Sequence, residues 1–238
     1  MHVHLPKPLH GWREFAGEVG IIVLGVLIAL GAGQLVEMVH ERNEAAEADD
    51  NIRGELGYNL GRLQSRLQIR SCVDGRIAQI ERLLDGAADQ PKLQGPIWIG
   101  RPQYWTLPSS RWDAEAQSGH AALIARSELA EYGFMYALMR DIQNEMMLEQ
   151  ADWARLRMLE RLHRLDGSTL TDLNEAVQDA RYRAWRVALI SSEITSGADE
   201  LKLTPTPNTS PATRSVCYPM NTTRQAANRI SKLPFGEP

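Results

Sequence analysis

The chain has 238 residues, a formal net charge of -4 and a pI near 5.9, enough for one soluble core and without the basic field that a phosphate backbone needs. Its arginines alternate with carboxylates, so nucleic acid is excluded as an expected partner. Three Phe and few β-branched runs, beside abundant Leu, Ala, Arg and Glu, exclude an all-β fold and point to all-α.

Residues 1–18 read as a short cytoplasmic leader that carries His2, His4, His10, Lys7, Arg13, Glu14 and Glu18. From Val19 to Val39 the only charge is Glu37, at the far end, and a helix over this run spans about 30 Å, the thickness of a hydrocarbon core. We expect a transmembrane helix over 19–39. The alternatives are a cleaved signal peptide, for which Gly31-Ala32-Gly33 supplies small residues, and a core helix of a soluble fold. Against cleavage stand the acidic leader and the continuation of the apolar run through Leu35, Val36, Met38 and Val39. Gly25, Ala29 and Gly33 recur every fourth residue, a face on which a second helix could approach closely. Lys7 and Arg13 nearly balance Arg42 and Arg53, so the positive-inside count is close to a tie. The usual signal-anchor arrangement, leader inside and domain outside, is the expectation.

Beyond the anchor, residues 40–203 form the expected extracytoplasmic helical domain. Ile52, Leu56, Leu60, Leu63 and Leu67 make one stripe, so the anchor continues as a stalk. Val73, Ile77, Ile80 and Leu84 make a second stripe, with Asp85-Gly86 as its stop. Between Ala87 and Ser110 the prolines Pro91, Pro96, Pro102 and Pro108, with Gly95 and Gly100, forbid a regular helix. That stretch also holds Ile97, Trp98, Ile99, Tyr104, Trp105 and Leu107, more apolar surface than a linker needs, so it should cover the core. Ser109 or Ser110 can cap a helix opening at Trp112, and Ser118-Gly119 breaks it.

A long helix follows from about Ser127 towards Leu165, with Tyr132, Met135, Met139, Ile142, Met146, Trp153 and Leu156 on one face and a gap near Glu149. Glu149 and His163 are the candidates for a buried polar pair on that face. Asp166-Gly167 closes the helix, and Thr169 precedes a last one with Leu170, Leu173, Val177, Ala180, Ala184, Val187, Ile194 and Leu201 inward. Residues 204–238, rich in Pro, Thr and Asn, read as an extended tail with a short helix near Thr222 to Ser231. Three or four long stripes suggest an antiparallel bundle.

The two cysteines, Cys72 and Cys217, both lie beyond the anchor; in an oxidising compartment they are expected to pair and pin the tail, the alternative being two unrelated thiols. His40, His120 and His163 lack ligand spacing, so neither a metal nor a cofactor is expected. Ser118-Gly119-His120 offers no elbow or oxyanion hole for a hydrolase. Trp98, Trp105 and Trp112 are spaced by seven, but intervening prolines remove any helical phase, and they read as core-covering aromatics. Arg181, Arg183 and Arg186 have Glu175 and Asp179 one turn away as partners.

The run GEVGIIVLGVLIALGAGQ, with Trp112 followed by Ser118-Gly119 and a leucine-rich helix, resembles a family of uncharacterised bacterial single-pass membrane proteins. Members carry a Gly-Glu-Ile/Val lead into an "IGILIAL" anchor and a Trp-to-Ser-Gly motif; an Asn-Trp pair usual after that anchor is replaced here by Gln34-Leu35-Val36-Glu37. The resemblance implies the bacterial inner membrane and, with the outward orientation, a periplasmic domain. It implies no chemistry. The expected function is a membrane-tethered helical interaction or scaffold module, an accessory subunit of an envelope complex. Its partners would be the lipid bilayer and another membrane protein or a second copy. The alternatives are a ligand-binding sensory bundle acting through a partner and, third, an enzyme.

Overall fold

The computed structural model describes residues 11–89, 93, 97–208, 215–223 and 225–227, and every regular element among them is helical. Lys7, His2, His4, His10, Pro91, Gly95, Pro96 and half of the expected short helix at 222–231 lie outside the described residues, as do 209–214 of the tail, while 225–227 are helical.

Helix α1 runs from Trp12 to Leu67, 56 residues, starting after Gly11, whose φ of 117° turns the chain into the helix. The expected anchor and stalk are therefore one helix about 84 Å long. The apolar side chains of its first half, such as Ile21, Leu27 and Leu35, are exposed, and burial begins at Ala48 and continues at Ile52, Leu56, Leu60 and Leu63. At Gln68-Ile69 the ladder tightens, because the Ile69 amide donates to the Arg66 carbonyl, three residues back. Helix α2 then runs from Arg70 to Asp89, carrying the spine onward. Asp85-Gly86 does not stop it, contrary to the sequence expectation. Ala87, the next residue, is buried, and Gly86 lies in open space, so packing holds the last turn in helix.

The chain returns antiparallel along this spine. Arg76 donates to the carbonyls of Trp98 and Ile99, Arg62 to that of Thr106, and Asn59 to that of Pro108. Further back, Asn51 donates to Glu115, and His120 lies by Glu44. This return path includes helix α3, Ser110–Ser118, which ends at Gly119 with φ 88°, followed by a 3-10 turn at His120–Leu123. Helix α4, Arg126–Leu156, ends in a 3-10 turn at Arg157–Glu160, short of the Leu165 expected. Helix α5 is Gly167–Glu200.

Helix directions follow from the cross-helix contacts. Asp49 meets Tyr132, Glu55 meets Tyr136, and Arg66 meets Glu149, so α1 and α4 are parallel. Glu145 meets Arg183 and Arg186 while Arg155 meets Asp179, so α4 and α5 are antiparallel. The parallel α1 and α4 depart from the expected antiparallel bundle. The long return along the spine makes this possible, since it brings the chain back to the level of Glu44 before α4 starts.

The core has two parts. The first joins Ile52, Leu56 and Leu60 to Tyr132, Met139, Ile142 and Ile194; the second joins Val73, Ile77 and Ile80 to Trp153, Leu156, Leu173 and Val177. Periodic stripes thus bury the faces they mark. At the start of α5 the Asp166 carboxylate accepts from the Thr169 amide at 2.8 Å, and this bond holds its pKa below the ordinary value. A depressed carboxylate stabilises the fold above its unfolded pKa and loses that contribution as pH falls through the folded value. Asp166→Asn, which keeps a capping oxygen, should therefore flatten the acid limb of the stability profile while changing stability little at pH 7. Denaturant midpoints measured from pH 2 to 7 check this, and an unaltered acid limb would refute it.

Candidate functional site

The first functional element is the exposed half of α1. Among the described residues this is the one segment long and apolar enough to cross a membrane. Gly25, Ala29 and Gly33 lie on one face of it, and nothing stands within 4 Å of a Cβ built at Gly25 or Gly33. That face is open to a second helix.

The second element is a polar seam on the inner side of the spine. Glu55 is only 5% exposed. It accepts from Ser110 Oγ and the Arg111 amide through one carboxylate oxygen, and from the Trp112 amide and the Tyr136 hydroxyl through the other. Glu55 thus satisfies the free amides that open α3, a task the sequence had assigned to Ser109 or Ser110. Ser109 Oγ donates instead to Asp113. Burial, with Glu55 beside it, pushes the Tyr136 hydroxyl upward in pKa, so it stays a donor. Trp112 stacks on Tyr136 with ring centroids 5.1 Å apart, and Gly119 ends α3 behind it. The Trp112, Ser118 and Gly119 motif therefore makes a short helix that folds an aromatic back onto the core.

Further along the seam, Arg66 Nη2 donates to both oxygens of Glu149, at 2.7 and 2.9 Å, between the two parts of the core. Glu149 is fully buried, as expected for a residue on the inward face, but its partner is Arg66. His163 is exposed. Burial raises the Glu149 pKa and the arginine opposes that.

The third element is the C-terminal strap. Expected to be an extended tail, its described residues are docked along the spine. Arg53 Nη1 donates to the Leu201 carbonyl, the Thr206 amide donates to the Gly57 carbonyl, and Asn208 donates to Ser65. Residues 215–223 then join α2: Cys72 and Cys217 form a disulfide with Cα atoms 4.9 Å apart, and Arg76 Nη2 donates to the Tyr218 carbonyl. Trp98 binds this segment twice, its amide donating to Met220 and its indole to the Ser215 carbonyl. Gly100, at φ 66°, passes so close to Ser215 that a Cβ would lie 2.3 Å from the carbonyl oxygen.

Glycine positions on the spine show what the strap requires. A Cβ at Gly61 would sit 1.7 Å from the Thr206 carbonyl oxygen and one at Gly57 2.7 Å from that of Thr204, both backbone atoms. Gly61→Ala should cost about 1–3 kcal/mol through this overpacking. Gly75→Ala, on the open face of α2, should add about 0.5–1 kcal/mol through helix propensity. Denaturant midpoints of the two variants should move in opposite directions. Equal shifts would mean that the strap yields freely.

Trp98, Trp105 and Trp112 do not converge. Trp98 stacks with Tyr218, Trp105 lies under Arg62, and Trp112 meets Tyr136. Arg183 and Arg186 pair with Glu145 of α4 and Arg181 with Glu81 of α2, while Glu175 and Asp179 face Arg155. Partners for the arginine cluster come from neighbouring helices, correcting the expectation of Glu175 and Asp179. Beside those arginines, Tyr182, Trp185 and Leu189 are exposed on the outward face of α5. His120 Nδ1 faces Glu115, and Ser118 Oγ donates to the Glu115 backbone carbonyl, so the imidazole and the hydroxyl are not paired. His40 lies 3.0 Å from Glu44. Among the described residues no group of three or more His, Cys, Asp or Glu side chains could hold a metal ion. Comparison with known proteins gives no family model, no curated protein and no solved structure that matches this chain.

Proposed function

We propose that this chain is a membrane-tethered helical interaction or scaffold module, an accessory subunit of a larger envelope complex. On this reading residues 19–39 cross the bacterial inner membrane and the helical bundle they carry lies in the periplasm. The resemblance to the uncharacterised single-pass family has the same implication. The observation that carries it is the continuity of α1, whose exposed apolar half passes without a break into the packed spine of the domain. A rigid junction of this kind transmits position from membrane to domain, which a flexible linker would not. The disulfide favours an oxidising compartment and hence the outward orientation. The open face at Gly25, Ala29 and Gly33 and the exposed aromatics of α5 are surfaces that the fold leaves unused.

Purification of the full chain in mild detergent, followed by light scattering and cross-linking, tests the reading. The expected result is a defined assembly, with a second copy or another membrane protein, that resists carbonate extraction from the membrane. The double variant Gly25→Leu, Gly33→Leu should weaken it, because larger side chains hold the helices apart. A single copy carrying a bound solute would overturn this in favour of a sensory bundle, and release by carbonate would remove the anchor.

A further inference from the structure

The Cys72–Cys217 bond sits in the wall of an open surface cleft of about 210 Å³, which it shares with Ser71, Gly75, Arg76 and Tyr218. Both cysteines are half-buried, lining the cleft while packing against the second part of the core. Arg76 follows Cys72 by one helical turn and lines the same cleft. Its guanidinium is held in place by the carbonyls of Trp98, Ile99 and Tyr218, and its Nε has no hydrogen-bond partner. A fixed cation in the cleft that a sulfur lines favours the thiolate form, which speeds departure of that sulfur when its partner is attacked.

The segment on the other side of the bond packs on the helices through Val216, which is buried with Ile99 in the second part of the core. Beyond Cys217 and the Arg76 contact, residues 215–223 are tied to 97–101: Trp98 to Met220 and Ser215, and Ser215 Oγ to both backbone groups of Arg101. The Ile99 and Gly100 amides also donate to Glu160 in the turn that ends α4, so this unit is held by α2 and by that turn. Opening the disulfide therefore removes the covalent tie between this unit and α2, leaving the buried Val216 and the hydrogen bonds of Arg76 and Trp98 to hold it.

We propose that this disulfide is an exchange site for a protein dithiol, a redox latch on the strap. The inference rests on the outward orientation proposed above. A thiolate of the partner attacks Cys217 Sγ, forming a mixed disulfide as the Cys72–Cys217 bond breaks. Cys72 leaves as a thiolate in the cleft that Arg76 lines and takes a proton from water. The second thiolate of the partner attacks its own sulfur in the mixed disulfide and releases the Cys217 thiolate, which is also protonated. Two electrons have then passed to this chain, which holds two thiols, and the partner leaves with a disulfide. The reverse sequence closes the latch.

The test uses the full chain in mild detergent. Alkylation without reductant first establishes the starting state. The oxidised protein is then mixed with a small Cys-x-x-Cys protein dithiol, and separately with its Cys-x-x-Ser variant. Reduction is expected about 100-fold faster than global unfolding followed by tryptophan fluorescence. The Cys-x-x-Ser variant should be trapped on Cys217. Hydrogen exchange should rise in 97–101 and 215–223 with α4 and α5 unchanged, and Arg76→Gln should slow the exchange about three- to tenfold. Reduction no faster than unfolding would overturn the latch and leave the outward orientation standing; this outcome is read on the wild-type chain. Two free thiols in the protein as isolated would overturn the orientation and the latch together.

Discussion

Glu149→Gln is expected to destabilise the protein by about 3–5 kcal/mol, although the substitution changes almost no volume. Glu149 is fully buried and Arg66 is 2% exposed, so neutralising the carboxylate leaves a guanidinium charge in the core with no counter-charge. Arg66 cannot relieve this by losing its proton. Its Nε already lacks a partner, so the two bonds to Glu149 are the main compensation for its burial. The double variant Arg66→Met, Glu149→Leu should recover most of the loss or exceed the wild type, since apolar side chains of similar size meet no desolvation penalty. Urea unfolding of the full chain in detergent, completed as a double-mutant cycle, measures the coupling directly. A cost below about 1 kcal/mol for Glu149→Gln would mean that burial already keeps this carboxyl protonated.

Loss of the disulfide should be of similar size. Cys72 and Cys217 are separated by 145 residues, and closing a loop of that length stabilises by about 4–5 kcal/mol in the chain-entropy model. Cys217→Ser should lower the denaturant midpoint accordingly and raise the m-value, because the unfolded chain is no longer cross-linked and exposes more surface. A domain with about 5–15 kcal/mol in hand would remain folded after this loss. The strap should then stay partly seated through the Thr206 amide on Gly57 and the Arg53 bond to Leu201, so Gly61→Ala should cost less in the Cys217→Ser background than in the wild type. An unchanged midpoint on removing the cysteine would show that strain in the folded state cancels the gain from closure.

Residue types and their spacing determined which faces turn inward. Ile52, Leu56 and Leu60 in α1, Tyr132 to Leu156 in α4 and Leu173 to Ile194 in α5 are buried as their three- and four-residue steps require, because a helix brings such positions onto one side. The apolar run beyond Val19, the Gly119 stop and the aromatic content of the loop after α2 are likewise local properties. The cysteine pairing was half legible: two cysteines beyond an anchor imply a bridge only if the tail reaches α2.

Tertiary structure decided which face meets which, and in what direction. Periodicity is the same for a parallel and an antiparallel neighbour, so the parallel course of α1 and α4 depends on the long return of 97–120 along the spine. Glu55, Asn59 and Arg66 sit at helical steps from Ile52 and Leu63, a signal that polar groups face inward. Their partners, Trp112 with Tyr136, Pro108 and Glu149, lie 49 to 83 residues away and are chosen by packing. The docked strap depends on the bare backbone at Gly57 and Gly61, a close approach that only neighbouring chain in space reveals.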